Sequence, residues 1–430
     1  MPKMAIARLP PATWLTSATA RDARFAGTPQ PNGLWETHKP RRCWSGHIAN
    51  RGMLSSEACF RKISEIQPEQ ARTNGPAPGE EKRILVKRRD FLIAATTATM
   101  STALPASAHT GTEPAKRSPL GLAWTSFMGA RRVDDPLELA NFALSFGAAG
   151  IQGPMPDLSD STVRQLRAVL ESNGLYFESA ASVPFKESDS ALFEKQLSAA
   201  KAAGARCVRL ACLSGRRYEN FHSMAEWREF VARSKDGIRR MVALAERARL
   251  PVAMENHKDW TGEELAALMK EYSSEYLGVC LDFGNNLSLL DDPYEVVEAL
   301  APYTISTHMK DSRVSMGTNK LLLGDVVLGD GVLDIARILE LLRKGGRNPR
   351  LSLEMITRDA LEIPVLSTGY WATFPERQGV RLARVIELGA KRPVEPAALD
   401  SMSKPDRASL EESNIRRCLE WASMNVAWKN

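Results

Sequence analysis

From about residue 118 onward, short apolar runs alternate with amphipathic helical stretches, and this alternation constrains the fold more than any other feature of the chain. The helical stretches tend to close on glycine just before the next run, as in "SFGAAG", "ESNG", "KAAG" and "RKGG". Glycine is the residue that ends a helix at no steric cost before a strand begins. Strands are expected near residues 120–127, 149–153, 175–181, 206–212, 251–257, 277–283, 303–309 and 350–356. Helices such as "DDPLELANFALSF", "STVRQLRAVLES", "SALFEKQLSAAKAA" and "GEELAALMKEYSS" lie between them. Eight strands alternating with helices is the α/β pattern of a (β/α)8 TIM barrel. A doubly wound sheet is the competitor, but no GxGxxG or phosphate-loop motif follows the first strand.

The last four strands finish alike: Glu255 in "VAMENH", Asp282 in "VCLDFGNN", His308 in "ISTHMKD" and Glu354 in "LSLEMIT". The first two intervals are 27 and 26 residues, one βα repeat each, and place the groups at the same height on successive strands. The third, 46, contains "MGTNKLLLGDVVLGDG", which reads as a hairpin or lid inserted before the seventh helix. Strand side chains alternate, so Ala253, Cys280, Ser306 and Ser352 share the face of the four polar groups, and all are small. Met254, Leu281, Thr307 and Leu353 face the other way, suited to packing on helices.

The four polar groups therefore point into the barrel mouth, where such barrels do chemistry. Three carboxylates converging in a partly dry site repel strongly unless compensated, and a divalent cation resolves the conflict. Taken singly, each strand-end Asp or Glu would cap a helix or meet solvent, and His308 would be a packing residue. Taken together at this register, Glu255, Asp282, His308 and Glu354 are expected metal ligands. Three oxygens and one imidazole suit Mn²⁺ best, with Mg²⁺ or Co²⁺ close behind; Zn²⁺ is admissible, although no thiolate argues for it.

On these residues the sequence resembles the xylose-isomerase-like TIM-barrel superfamily. It is similar to the sugar isomerase/epimerase branch, which includes ketose 3-epimerases, hydroxypyruvate isomerase and inosose dehydratase. The resemblance spans about residues 118–395, and "LGDGVLD", Leu328 to Asp334, is similar to the family's Leu-Gly-Glu-Gly segment. It implies that Glu255 and Glu354, besides ligating metal, form an acid/base pair facing opposite sides of a carbohydrate substrate. A cation holding a ketose carbonyl and its neighbouring hydroxyl would stabilise an enediolate, and two carboxylates can remove and return its proton. Protonation of that enediolate gives an isomerase or epimerase; expulsion of a β-leaving group gives a dehydratase or a lyase opening a 3-keto-glycoside. Many ketose epimerases have a substrate-binding His three residues past the strand-six Asp, and Asn285 stands there instead. That departure shifts the substrate away from a simple ketose.

Further substrate contacts are expected from His257 on the face of Glu255, Lys310 two residues after His308, and Arg358 four beyond Glu354. The competing roles are a supporting hydrogen bond, a salt bridge with Asp311 and a solvated loop. Trp124 and Trp260 can stack on a sugar ring or simply pack. Two other function classes are weaker. An apurinic endonuclease on this barrel needs a histidine-rich cluster, whereas residues 118–395 contain only His222, His257 and His308. A non-catalytic sugar-binding protein would not need both Glu255 and Glu354.

The formal charge of +6 suggests a nucleic-acid partner until it is mapped. Residues 1–92 hold 16 Lys/Arg against 8 Asp/Glu, and residues 93–430 hold 41 against 43, so the barrel is slightly acidic and nucleic acid is not expected. The six cysteines show no CxxC spacing; Cys207 and Cys212, on opposite faces of one strand, are expected to be packed thiols. Residues 396–430 read as a linker and a helix, "RASLEESNIRRCLEWASM", whose apolar positions would dock on the barrel or on a neighbouring subunit of a homo-oligomer.

Residues 1–86, rich in Pro, Arg, Thr and Gly, read as disordered. "KRRDFLIAATTATMSTALPASA", residues 87–108, joins Arg88-Arg89, an uncharged stretch and an Ala-x-Ala end, and resembles a twin-arginine export signal rather than a short buried helix. The apolar run is too short to span a bilayer, so a periplasmic protein with no membrane anchor is expected. A signal so far from Met1 implies that translation begins later, near Leu85 or Val86. N-terminal sequencing of the native protein should find a start just after Ala108; a mature chain retaining residues 1–80 would refute this.

Overall fold

The computed structural model describes residues 117–394 and 399–428; the expected disordered extension and export signal lie outside these. Eight strands close a parallel barrel: β1 (Leu120–Ala123), β2 (Gly150–Pro154), β3 (Tyr176–Ala180), β4 (Val208–Leu210), β5 (Val252–Glu255), β6 (Leu277–Asp282), β7 (Thr304–Met309) and β10 (Arg350–Leu353). Each falls within or beside its expected segment. The ring closes where β1 pairs with β10.

The local signals act as the chemistry requires. Asp135 caps helix Pro136–Phe146, and its carboxylate accepts from the Leu137 amide. Gly147 ends that helix at φ 68°, and Gly174 ends helix Asp160–Asn173 at φ 61°, a left-handed conformation that only glycine adopts freely. Thr261 and Glu264 form a capping box at the start of helix Gly262–Tyr272, so the chain turns into that helix soon after β5. Met254, Leu281 and Leu353 point outward and are fully buried beneath the helices. Inward, Cys207, Ala253 and Cys280 form a small separate apolar cluster. Cys212 belongs to the main core instead, and all four cysteines among the described residues are free and buried.

The insertion is a hairpin: β8 (Asp311–Gly317) pairs antiparallel with β9 (Lys320–Val326), and β11 (Leu361–Ile363) adds a third strand. Its return loop is tied to the barrel by Asp311. That carboxylate accepts from the amides of Gly329 (3.0 Å), Gly331 (2.9 Å), Leu333 (3.1 Å) and Ser312 (2.8 Å). "LGDGVLD" is thus a loop wrapped on one carboxylate.

The C-terminal helix, Lys404–Asn425, docks on the barrel of its own chain. Its buried face, Glu411, Ile415, Cys418, Leu419 and Ala422, keeps helical spacing. Glu411 accepts from the Ala130 amide (2.9 Å) and so anchors the helix beside the loop that follows β1. No helix among the described residues is long and apolar enough to cross a membrane.

A methyl group on Gly331 would collide with Asp311 Oδ1 and lie 2.6 Å from the Ser312 carbonyl oxygen. Four amides hold that carboxylate, so it has little freedom to yield. Gly331→Ala should destabilise the protein by about 1–3 kcal/mol. Gly379→Ala, where nothing lies within 4 Å, should leave thermal stability unchanged or slightly raised. Equal melting temperatures for the two variants would contradict the tether.

Candidate metal centre

Glu255, Asp282, His308 and Glu354 converge at the carboxyl ends of β5, β6, β7 and β10. One ligand atom from each lies within 4.8 Å of the others, and all four residues are buried. Strand pairing places Glu255 opposite Cys280, Asp282 opposite His308, and His308 opposite Ser352. Measured along the hydrogen bonds, the four groups therefore climb by two residues, none, and two. A barrel of eight tilted strands has a shear of about eight, on average one residue per strand. The staircase cancels the tilt and brings the groups to one level.

Backbone and amide contacts fix these side chains. Asp282 Oδ1 accepts from the Gly284 amide (2.9 Å) and the Asn285 amide (2.8 Å), which leaves Oδ2 turned to the centre, where the Lys310 ammonium is its close neighbour. Asn256 holds the same strand end by accepting from Asp282 N (2.7 Å) and donating to Asp282 O (2.8 Å). His308 Nδ1, without a hydrogen bond among the described residues, is 3.4 Å from Glu255 Oε1, 3.4 Å from Glu354 Oε1 and 3.7 Å from Asp282 Oδ2. Two donors sharing an ion at about 2.1 Å sit roughly 3–3.4 Å apart. Donor types and spacings both fit a divalent cation.

The chain itself supplies part of the compensation for these carboxylates. Arg209, from β4, pairs with Glu255, and its guanidinium lies 5.2 Å over the Trp124 ring. Lys310 Nζ lies 2.9 Å from Asp282 Oδ2 and also donates to Glu354. Burial alone would raise the Asp282 and Glu354 carboxyls; Lys310 and the His308 imidazole hold both below their usual range. Burial likewise opposes a charged His308, yet the surrounding anionic groups bring it up to about 10. Without metal, two cations and an imidazolium balance three carboxylates; a bound ion would displace the imidazole proton.

Gln152 and Glu178, on β2 and β3, complete the site from below. Gln152 Oε1 accepts from His308 Nε2, which directs Nδ1 at the carboxylates. Gln152 Nε2 donates to Glu178 Oε2 (2.9 Å), and Ser306 Oγ donates to the same oxygen (2.7 Å). Burial raises the Glu178 carboxyl, and these hydrogen bonds partly offset it. Their signal in sequence is a polar group inside an apolar run, as in "GIQGP" and "YFESA".

A cavity of about 500 Å³ opens above the centre, lined by Trp124, His257, Lys258, Glu354 and Arg358 among others. Of the expected substrate contacts, Trp124, His257 and Arg358 line this cavity, and Arg358 also pairs with Asp325 of the hairpin (2.9 Å). Lys310 is buried among the carboxylates and does not pair with Asp311. Asn285 sits between Glu255, to which it donates (3.0 Å), and Lys258, from which it accepts. Trp260 is 2% exposed and packs on Trp227 and Phe230, away from the cavity lining.

A closed (β/α)8 barrel carrying this site at its carboxyl face defines a class that comparison with known proteins names. Residues 140–380 match the model of the xylose isomerase-like TIM barrel family, and the chain belongs to that family. The 3-oxo-isoapionate decarboxylase of Pectobacterium atrosepticum is 28% identical over 105 residues, 24% of this chain and 38% of that protein. This chain therefore spans little more than a third of that relative's length. Among solved structures, 3-keto-D-glucoside 4-epimerase from E. coli is 14% identical with a TM-score of 0.41, covering 63% of this chain and 99% of its own. D-psicose 3-epimerase from Clostridium cellulolyticum H10 is 15% identical with a TM-score of 0.45, covering 63% and 96%.

Gln152→Ala removes the group that aims His308 while leaving all four donors in place. It should weaken Mn²⁺ binding about 10- to 100-fold in equilibrium dialysis, with the fold retained by circular dichroism. Unchanged affinity would show that the imidazole needs no such tether.

Proposed function

We propose that the protein is a metal-dependent isomerase or epimerase of an unphosphorylated sugar or sugar-derived ketone, acting through an enediolate, with Glu255 and Glu354 as the acid/base pair. The observation that carries this reading is the convergence of three carboxylates and one imidazole within 4.8 Å beneath the cavity. Glu255, Asp282, His308 and Glu354 would hold the metal. When bound, that metal, Mn²⁺ by preference, supplies positive charge against which an enediolate forms from a ketone and its adjacent hydroxyl.

The residues of the chain then have distinct tasks. Glu354 lines the cavity directly and is placed to exchange a proton with a substrate carbon from its side. Glu255 is covered by Arg209, so the guanidinium must leave the carboxylate before Glu255 can act from the other side. Trp124, under that guanidinium, offers a ring face to the freed Arg209 or to a sugar. His257, whose Nδ1 has no hydrogen-bond partner among the described residues, can bond a substrate hydroxyl. Its imidazole is held neutral mainly by burial, with Lys258 and Arg209 adding to the shift. We further propose that the chain is exported folded by the twin-arginine route, a destination that would favour substrates without phosphate.

A second reading keeps the site and changes the outcome: a lyase or dehydratase in which the enediolate expels a leaving group. What favours keeping it is the name of the partial relative, a decarboxylase of a 3-oxo acid, because loss of carbon dioxide from such an acid yields an enolate. A non-catalytic sugar-binding protein gains nothing from so dense a set of carboxylates.

Hydrogen exchange separates these. In D₂O with Mn²⁺, wild type should introduce deuterium next to the carbonyl of one or more members of a panel of unphosphorylated ketoses and sugar-derived keto acids, and Glu255→Gln should slow this by at least about 100-fold. Product mass then tells isomer from elimination product. Exchange that persists in the variant would remove Glu255 from the chemistry, and exchange on no member would remove the enediolate.

A further inference from the structure

The cavity walls carry more positive charge than a neutral sugar can use. Arg209, Arg216, Lys258 and Arg358 line it, against the carboxylates of Glu219 and Glu354. Three of these cations already have partners: Arg209 with Glu255, Arg216 with Glu219, and Arg358 with Asp325. Lys258 does not. It is 5% exposed, its ammonium donates to the amide oxygen of Asn285, and no carboxylate pairs with it among the described residues. A buried amine facing a cavity and lacking a counter-ion keeps its charge only when an anion in the cavity answers it, and otherwise tends to lose its proton.

We propose that the cavity takes a substrate bearing a carboxylate, a polyhydroxy keto acid rather than a neutral ketose, with the acid group seated on Lys258 and flanked by Arg216 and Arg358. This rests on the reading of the site as one for sugar-derived ketones and narrows it to the acidic members. Asn285 links the two ends of such a substrate: its amide holds Glu255 on one side and Lys258 on the other, across one residue's width. The ketone end then lies over the carboxylate centre while the acid end meets the lysine. Burial pushes the Lys258 ammonium down to about 7, with Lys310 and Arg358 adding to the shift, and a bound carboxylate would restore its charge. One unpartnered cation matches a monoanion; a phosphate dianion would call for a second. Aldonate- and uronate-derived keto acids, the products of sugar oxidation, have the required chemistry.

The test reads binding, so it does not depend on turnover. D-glucitol, D-gluconate and D-glucitol 6-phosphate are titrated calorimetrically into wild type, Lys258→Gln and Arg358→Gln, each with and without Mn²⁺. In wild type, gluconate should bind at least about tenfold more tightly than glucitol, in metal-free as well as metal-loaded protein. Lys258→Gln should remove that preference, and Arg358→Gln should reduce it, which keeps the test available if the lysine variant fails to fold. Equal affinities, a preference that survives Lys258→Gln, stronger binding of the phosphate, or no binding of any of the three would each overturn the proposal. Exchange on neutral ketoses with no preference for gluconate would sink this inference and leave the enediolate reading standing. A lysine-dependent preference without exchange on any ketose or keto acid would do the reverse.

Discussion

Everything at the mouth of this barrel depends on the stagger between its tilted strands. Hydrogen bonds join Asp282 to the level of His308 but leave Glu255 beside Cys280 and His308 beside Ser352. In a flat sheet, those four groups would form a diagonal. In a closed barrel, the tilt turns the diagonal into a ring, and alternation of side chains allows only steps of none or two residues within one layer. The consequence is a single plane of three carboxylates and an imidazole, which water cannot fully solvate.

That crowding sets the rest of the local chemistry. Arg209 and Lys310 come in as counter-charges, Gln152 and Glu178 orient the imidazole from beneath, and Asn256 and Asn285 clamp the strand ends. Each is buried or nearly so because each answers a buried charge. Lys258 is the exception, a buried basic group that among the described residues meets an amide and no carboxylate.

Much of this was legible before any coordinates. The eight strands, the glycine stops and the inserted hairpin follow from periodicity and local capping, which act over a few residues. The four candidate ligands stand out in the sequence because they repeat at strand ends, with one βα unit between the first three. Trp260 illustrates where such reasoning stops: its place beside the "AMENH" strand end suggested a sugar platform, but it joins an aromatic cluster with Trp227 and Phe230 under the helices. The salt bridge imagined between Lys310 and Asp311 fails for a related reason. Adjacent strand residues face opposite ways, so Lys310 turns to the barrel and Asp311 to the amides of the hairpin's return loop.

The sequence by itself determined the barrel, the register of its polar strand ends and hence the kind of donors gathered there, because these are set by spacing along the chain. Only the tertiary structure decided which charges answer them. Arg209 reaches Glu255 across 46 residues, and Gln152 reaches His308 across 156. Electrostatic compensation acts through space and is indifferent to chain order, so no local pattern announces it. The same holds for Lys258, whose lack of a carboxylate partner among the described residues is a property of the fold and not of any local pattern.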